Sequence, residues 1–220
     1  ILQGTGPVQV PELGAVDAAN VVDVVLNQAY VRFPDIDSRS DVMTEVAEAT
    51  FERLVEGDYP SLRPLAEALV EAAEGRHVLA WARSGRIRAH HEFFGVDGAL
   101  PDPLDAAFAL TAQNLSANKL DYHVDTSLRL VGDPSADGTI TATVTLTNTL
   151  PAGRTQPEYV VGPNAPGQVA GQYRSAVSLY VPFGTQLLDA GGGPVLDPPV
   201  VQSEGGRTVV GFTTDVHAGS

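Results

Sequence analysis

Apolar residues recur at helical spacing through the first half of the chain and at every second position from about Leu120 onward. At the start, Val8 and Val10 flank Gln9 between Gly and Pro punctuation, which predicts one short strand with its turns. Asp17 stands where a helix N-cap is expected. Behind it Val21, Val22, Val24, Val25, Leu26 and Ala29 cover much of a helix circumference, predicting a buried helix. Ser38 with Asp41 three residues later has the form of a capping box, and Val42, Val46, Ala49 and Leu54 then make the stripe of a helix that stops near Gly57. Ser61 is placed to cap a further helix striped by Leu62, Leu65, Leu69 and Ala73, with Pro64 in its first turn and Gly75 as its stop. A short strand over 77–82 and a helix over 84–94 complete the helical half.

Beyond Leu120 the period is two. Tyr122, Val124, Leu128 and Leu130 alternate with His123, Asp125, Ser127 and Arg129, and Ile140, Ala142, Val144 and Leu146 oppose a row of threonines. Asp137-Gly138 between the two runs predicts a hairpin. The Pro- and Gly-rich stretch 151–171 predicts a flexible, disordered excursion, after which SAVSLYV, TQLLDA, PPVVQS and TVVGFTT read as short turn-bounded strands. The expected fold class is therefore α+β: a helix-rich α/β domain over 1–119 followed by an antiparallel β-sandwich-like domain over 120–220.

Composition narrows the function classes. With 43% hydrophobic and 18% charged residues the chain can bury a core. A formal net charge of −14 repels polyanions, so unassisted nucleic-acid binding is excluded, and the acidic body is expected to avoid anionic lipid. Without cysteine there is neither a disulfide framework nor a thiolate site. No apolar run approaches the ~20 residues that span a bilayer, and the opening Ile-Leu-Gln-Gly-Thr-Gly-Pro has neither signal-peptide features nor an initiator Met. The expected reading is a piece of a longer protein, with membrane contact only through an N-terminal anchor outside it.

Candidate chemistry is sparse. His90, His91 and Glu92 are too close in sequence for an i, i+4 ligand pair, no Gly-x-Ser-x-Gly elbow occurs, and GTGPV is neither a P-loop nor a dinucleotide fingerprint. Two polar clusters remain. In YVRFPDIDSRSD the guanidinium forks of Arg32 and Arg39 could grip a pyrophosphate, and Asp35, Asp37 and Asp41 could hold Mg²⁺; a capped, salt-bridged loop between helices is the plainer reading. In NLSANKLD, Asn114, Asn118, Lys119 and Asp121 could bind a ligand or simply tie a turn.

The succession TGPVQVP, DAANVVDVVLNQAYVRFPD, the run Asn-x-x-x-Asn-Lys-x-Asp-Tyr-x-Val and YVPFGTQLL resembles the bacterial domain-of-unknown-function family 4012, in its C-terminal portion. The resemblance implies an extracytoplasmic cell-envelope protein, anchored to the plasma membrane. TGPVQV, AVDAANVV, QAYVR and DIDSRSD also resemble the LytR-CpsA-Psr phosphotransferases, which attach lipid-pyrophosphate-linked glycopolymers to the cell wall. That likeness implies pyrophosphate-holding roles for Arg32 and Arg39, with Mg²⁺ as the cofactor. Gly-Pro stands where that family has Gly-Gly and the second Arg of its usual pair is absent, so the expected site is incomplete in this chain. The residues thus assign no reaction. Three expectations stand: a non-catalytic or catalytically incomplete envelope module without a cofactor, a phosphotransferase-like protein acting on lipid pyrophosphate and glycopolymer, or an adhesive module that binds an envelope protein or glycan.

Overall fold

The computed structural model describes residues 1–57, 59, 61–100, 102, 107–132, 138–151, 153 and 156–220. Helices and antiparallel sheets make the protein α+β, divided into two compact units, Ile1–Leu100 and Pro101–Ser220. The division falls ahead of the expected boundary at 119/120. The strand Ala109–Asn114 pairs in full register with Tyr173–Val181, and this commits it to the second unit although its sequence carries no clear alternation.

In the first unit a short helix α1 (Leu2–Thr5) leads into the hairpin β1 (Val8–Val10) and β2 (Gly14–Val16), paired Val8 to Val16. The expected strand at Val8–Val10 is present; its partner was concealed because Gly14–Val16 offers only one buried side chain, Val16. Asp17 Oδ1 accepts from the amides of Ala19 and Asn20 at the entrance to a helix wound in three pieces. These are α2 (Val21–Asp23), a π segment (Val24–Gln28) and α3 (Ala29–Arg32). The Asp23 carboxylate accepts from Asn27 Nδ2 at 2.7 Å and Gln28 Nε2 at 2.6 Å, so residues at i+4 and i+5 both stand over it, as π winding places them. Only Val24 and Ala29 are buried, while Val22 is 57% and Leu26 48% exposed. The helix expected to be buried therefore covers the core along one side only. Phe33, held at φ −119° by the following Pro34, ends it.

The cap of α4 (Ile36–Glu56) is Asp35, not Ser38: its carboxylate accepts from the Ser38 amide at 2.9 Å and the Ser38 hydroxyl at 3.0 Å. Gly57, at φ 69°, closes that helix in the left-handed conformation. Ser61 caps α5 (Leu62–Glu74), accepting from Arg63 N, and Gly75 follows it. Of the expected stripe Leu65 is buried, together with Ala68, while Leu62 and Leu69 are exposed. The core of the unit is Leu2, Val8, Val10, Val16, Val24 and Val46, with Leu13, Val21, Val25 and Ala49 packed around it. Each fully buried aliphatic chain contributes roughly 1.5–3 kcal/mol. Gly4 lies directly against the backbone of Leu65; a methyl group placed there would meet Leu65 N at 2.7 Å and Leu65 Cα closer still. Residues 77–82 form no strand: the amides of His77 and Val78 turn back to Ala72 O and Ala80 N donates to Val96 O, and α6 (Gly85–Phe93) follows Ser84 as expected.

The second unit holds a four-stranded antiparallel sheet in the order β3 (Ala109–Asn114), β6 (Tyr173–Val181), β8 (Arg207–Val216), β7 (Val200–Glu204). Alternate residues of β6, from Tyr173 to Val181, are buried, the signature of a sheet with one face on the core. The expected alternation after Leu120 begins only at Val124, because Leu120–His123 is a 3₁₀ turn. β4 (Val124–Gly132) and β5 (Ile140–Asn148) pair antiparallel along their whole length as a separate ribbon; the expected turn over 133–137 lies outside the described residues. TQLLDA forms no strand. The described part of the stretch expected to be disordered is folded: α7 (Glu158–Val161) buries Val160 and Val161, and Asn164 Nδ2 donates to Ala117 O and Tyr159 O. Arg207 is buried, its guanidinium donating to Ala107 O and Asp102 O.

Candidate functional site

The NLSANKLD cluster sits at the corner between β3 and the 3₁₀ turn, and the fold uses its side chains there. Asn114 Oδ1 accepts from Ser116 N, and its Nδ2 is shared among Asn118 O, Asn118 Oδ1 and Asp121 Oδ2, the last at 2.8 Å. Asn118 is buried. Its Oδ1 also accepts from Leu120 N, two residues on, and its Nδ2 donates to Gln172 O at 2.8 Å. Asn148, at the end of β5, repeats the device: Oδ1 accepts from Leu150 N, again two residues on, while Nδ2 donates to Gly171 O at 3.0 Å. Two buried asparagines thus clamp consecutive carbonyls just before β6. A buried carbonyl left without a donor costs about 1–3 kcal/mol, which gives the pair its structural weight.

Around the clamp, Ser116 Oγ accepts from Arg174 N, and Ala117 takes the left-handed φ of 55° that lets the chain turn between its neighbours. The Lys119 amide donates to Val160 O, while the side chain of this residue is exposed. Tyr173 OH donates to Asp121 Oδ1 at 3.0 Å; burial, then the nearby carboxylate, push the phenol well above its ordinary range. On the opposite face of β6 Arg174 grips Asp215 through both Nε and Nη2, at 2.7 and 2.8 Å, and Gln172 Nε2 adds a third bond to that carboxylate. These bonds, the Arg174 ones first, hold Asp215 below the usual carboxylate value.

The YVRFPDIDSRSD cluster belongs to the first unit. Arg32 Nη2 donates to Glu12 O at 2.7 Å, and Arg39 Nη1 donates to Phe33 O at 3.0 Å while its guanidinium lies 4.9 Å from the centre of the Tyr30 ring. Asp35 is the α4 cap, its carboxyl lowered first by the Ser38 amide. Asp37 and Asp41 are exposed, one turn apart on α4. Arg32 therefore ties the end of α3 to the turn between β1 and β2, and Arg39 ties the first turn of α4 to the end of α3.

Among the described residues no group of three or more His, Cys, Asp or Glu could hold a metal ion. With Asp35 taken up as a cap, the cluster does not fit the Mg²⁺ that the phosphotransferase likeness implies. An open depression of about 370 Å³ lies between Gly4–Pro7 and Arg53, Ser61 and Pro64, where Arg53 Nε already donates to Thr5 O. Sequence reading did not foresee Asn148, Gln172, Tyr173, Arg174 or Asp215, because their partners lie far along the chain. The Asn-x-Leu spacing shared by Asn118 and Asn148 was the one visible signal. No family model, curated protein or solved structure matches this chain.

Proposed function

We propose that the chain is a non-catalytic module of the bacterial cell envelope, acting outside the cytoplasm as a scaffold of the kind the domain-of-unknown-function family 4012 resemblance implies. The observation that carries this reading is the use of the motif residues. Asn114, Asn118 and Asp121 of the most specific part of the resemblance are engaged in holding the chain, which is what a motif kept for architecture requires. Arg32 and Arg39 are likewise engaged with backbone carbonyls, which favours a scaffold over a pyrophosphate site. On this reading the first unit is a remnant of the LytR-CpsA-Psr-like fold. The second is β-sandwich-like, its ribbon tied to the end of the sheet through Asn148 Nδ2 and Val216 O. The acidic surface and absence of cysteine fit an extracytoplasmic scaffold that meets wall glycopolymer or envelope proteins. Fractionating cells that make the protein tests the location: recovery in the envelope fraction is expected, and a cytoplasmic protein would sink the reading. In the same preparation Arg32→Ala is expected to leave any retention of polyprenyl pyrophosphate unchanged; its loss would return the phosphotransferase reading.

A further inference from the structure

We propose that the exposed arginine- and aromatic-rich segment formed by residues 76–94 docks on an anionic lipid surface. The segment, RHVLAWARSGRIRAHHEFF, sets Arg76, Arg83, Arg86 and Arg88 against a single carboxylate, Glu92, in a chain whose net charge is −14. Its sign is opposite to that of the molecule that carries it.

The segment is tied to the chain that follows it. Arg76 Nη2 donates to Gly98 O at 2.9 Å and Ala99 O at 2.8 Å, and Ala80 N donates to Val96 O at 2.7 Å. Between these ties α6 buries none of its residues. Trp81 is 76% exposed, Phe93 81% and Phe94 68%, with Leu79 and Ile87 also open to water. Phe93 and Phe94 meet edge to face at 5.2 Å and present a joint aromatic knob. Arg83, Arg86 and Arg88 are exposed, and their guanidinium groups make no hydrogen bond or ion pair among the described residues.

Large rings without a protein partner beside cations without one mark an interaction surface. Its composition selects the partner: exposed Trp and Phe among arginines are the combination that the anionic headgroup region of a bilayer accepts, the rings entering the interface and the guanidinium groups meeting the headgroups. Arginines close to anionic headgroups add an attraction that decays within a Debye length, about 10 Å at 0.1 M salt. The same screening confines the repulsion from the rest of the acidic chain, so at contact the local sign decides. The expectation that the acidic body avoids anionic lipid describes the remaining surface and not this segment. None of the residues used here supports the scaffold reading, so either can fail alone.

Trp81 is the only tryptophan in the chain and serves as the probe. The intact protein is titrated with phosphatidylcholine vesicles with and without phosphatidylglycerol. Expected are a blue shift of Trp81 emission and co-sedimentation with the anionic vesicles, both reversed by high salt and absent with phosphatidylcholine alone. The triple variant Arg83→Glu, Arg86→Glu, Arg88→Glu should weaken binding by about 100-fold or more, and Phe93→Ser with Phe94→Ser by about 10-fold or more. Unchanged far-ultraviolet circular dichroism checks that the variants fold. No shift with anionic vesicles, or full binding by the triple variant, overturns the proposal. So does an equal shift with soluble polyglutamate that displaces the vesicles, which would assign the segment to an acidic protein.

Discussion

In the second unit, the amides of Asn118 and Asn148 are buried and bonded to consecutive backbone carbonyls; in the first, Arg83, Arg86 and Arg88 are exposed, as are Trp81, Phe93 and Phe94 of the same segment. In sequence NLSANKLD stands out as a polar cluster, whereas 84–94 reads only as a further helix. What separates them is the alternative open to each group. An amide facing a buried carbonyl has no water to turn to, so its bond is fixed by the fold. An exposed guanidinium next to unburied rings leaves its surroundings free to be completed by something else. Burial of the partner, more than the chemistry of the side chain, divides architecture from recognition here.

The comparison can be broken most decisively at the clamp. Replacing Asn118 with Ala leaves the Gln172 carbonyl and the Leu120 amide without their partner in a buried setting, and should cost about 3 kcal/mol of unfolding free energy, as should Asn148→Ala. Denaturant unfolding followed by circular dichroism measures it. A loss under about 1 kcal/mol would mean that these amides are spare and the cluster is open to a ligand after all.

A smaller effect is expected at Asp215. Its carboxyl is held below the ordinary value of 3.8 by Arg174, so the stabilisation is present at pH above that value and is lost as pH falls through the lower folded value. Because the pair is partly open to solvent, Asp215→Asn should cost only about 1 kcal/mol at neutral pH. The variant should also flatten the decline in stability below about pH 4, which a series of unfolding curves against pH would reveal. A variant with the parent's acid profile would remove the pair from the account.

The least effect belongs to the exposed segment. Arg86→Ala, at an exposed position of a helix with no buried residue, should change unfolding free energy by no more than about 0.5 kcal/mol. A larger loss in thermal unfolding would show that the segment is part of the scaffold.

Much of the helical half could be read from the chain because its signals are local. Ser61 bonds Arg63 N, Gly57 takes the left-handed φ, and Val42 and Val46 lie one turn apart, so each statement needs only a few neighbouring residues. The capping of α4 was misassigned by one turn, since Asp35 and Ser38 are both good caps and the choice rests on Pro34 forcing the chain to be extended before Asp35. β3 could not be read: Ala109–Asn114 is only half-buried at best and owes its strand to pairing with β6. The same holds for the candidate site. NLSANKLD announced a polar turn, but its partners Gln172, Tyr173 and Arg174 come from β6 and its approach, more than fifty residues along.

Gly4 carries a consequence for ancestry. With no room for even a methyl group between it and the Leu65 backbone, its identity is fixed by the spacing of two helices, while Val22 or Leu26 on the outer side of the neighbouring helix can drift. Any distant cousin that keeps this arrangement must carry glycine there whatever else has changed. Position 4, together with the two Asn-x-Leu steps, would outlast the more conspicuous charges as a marker of common descent.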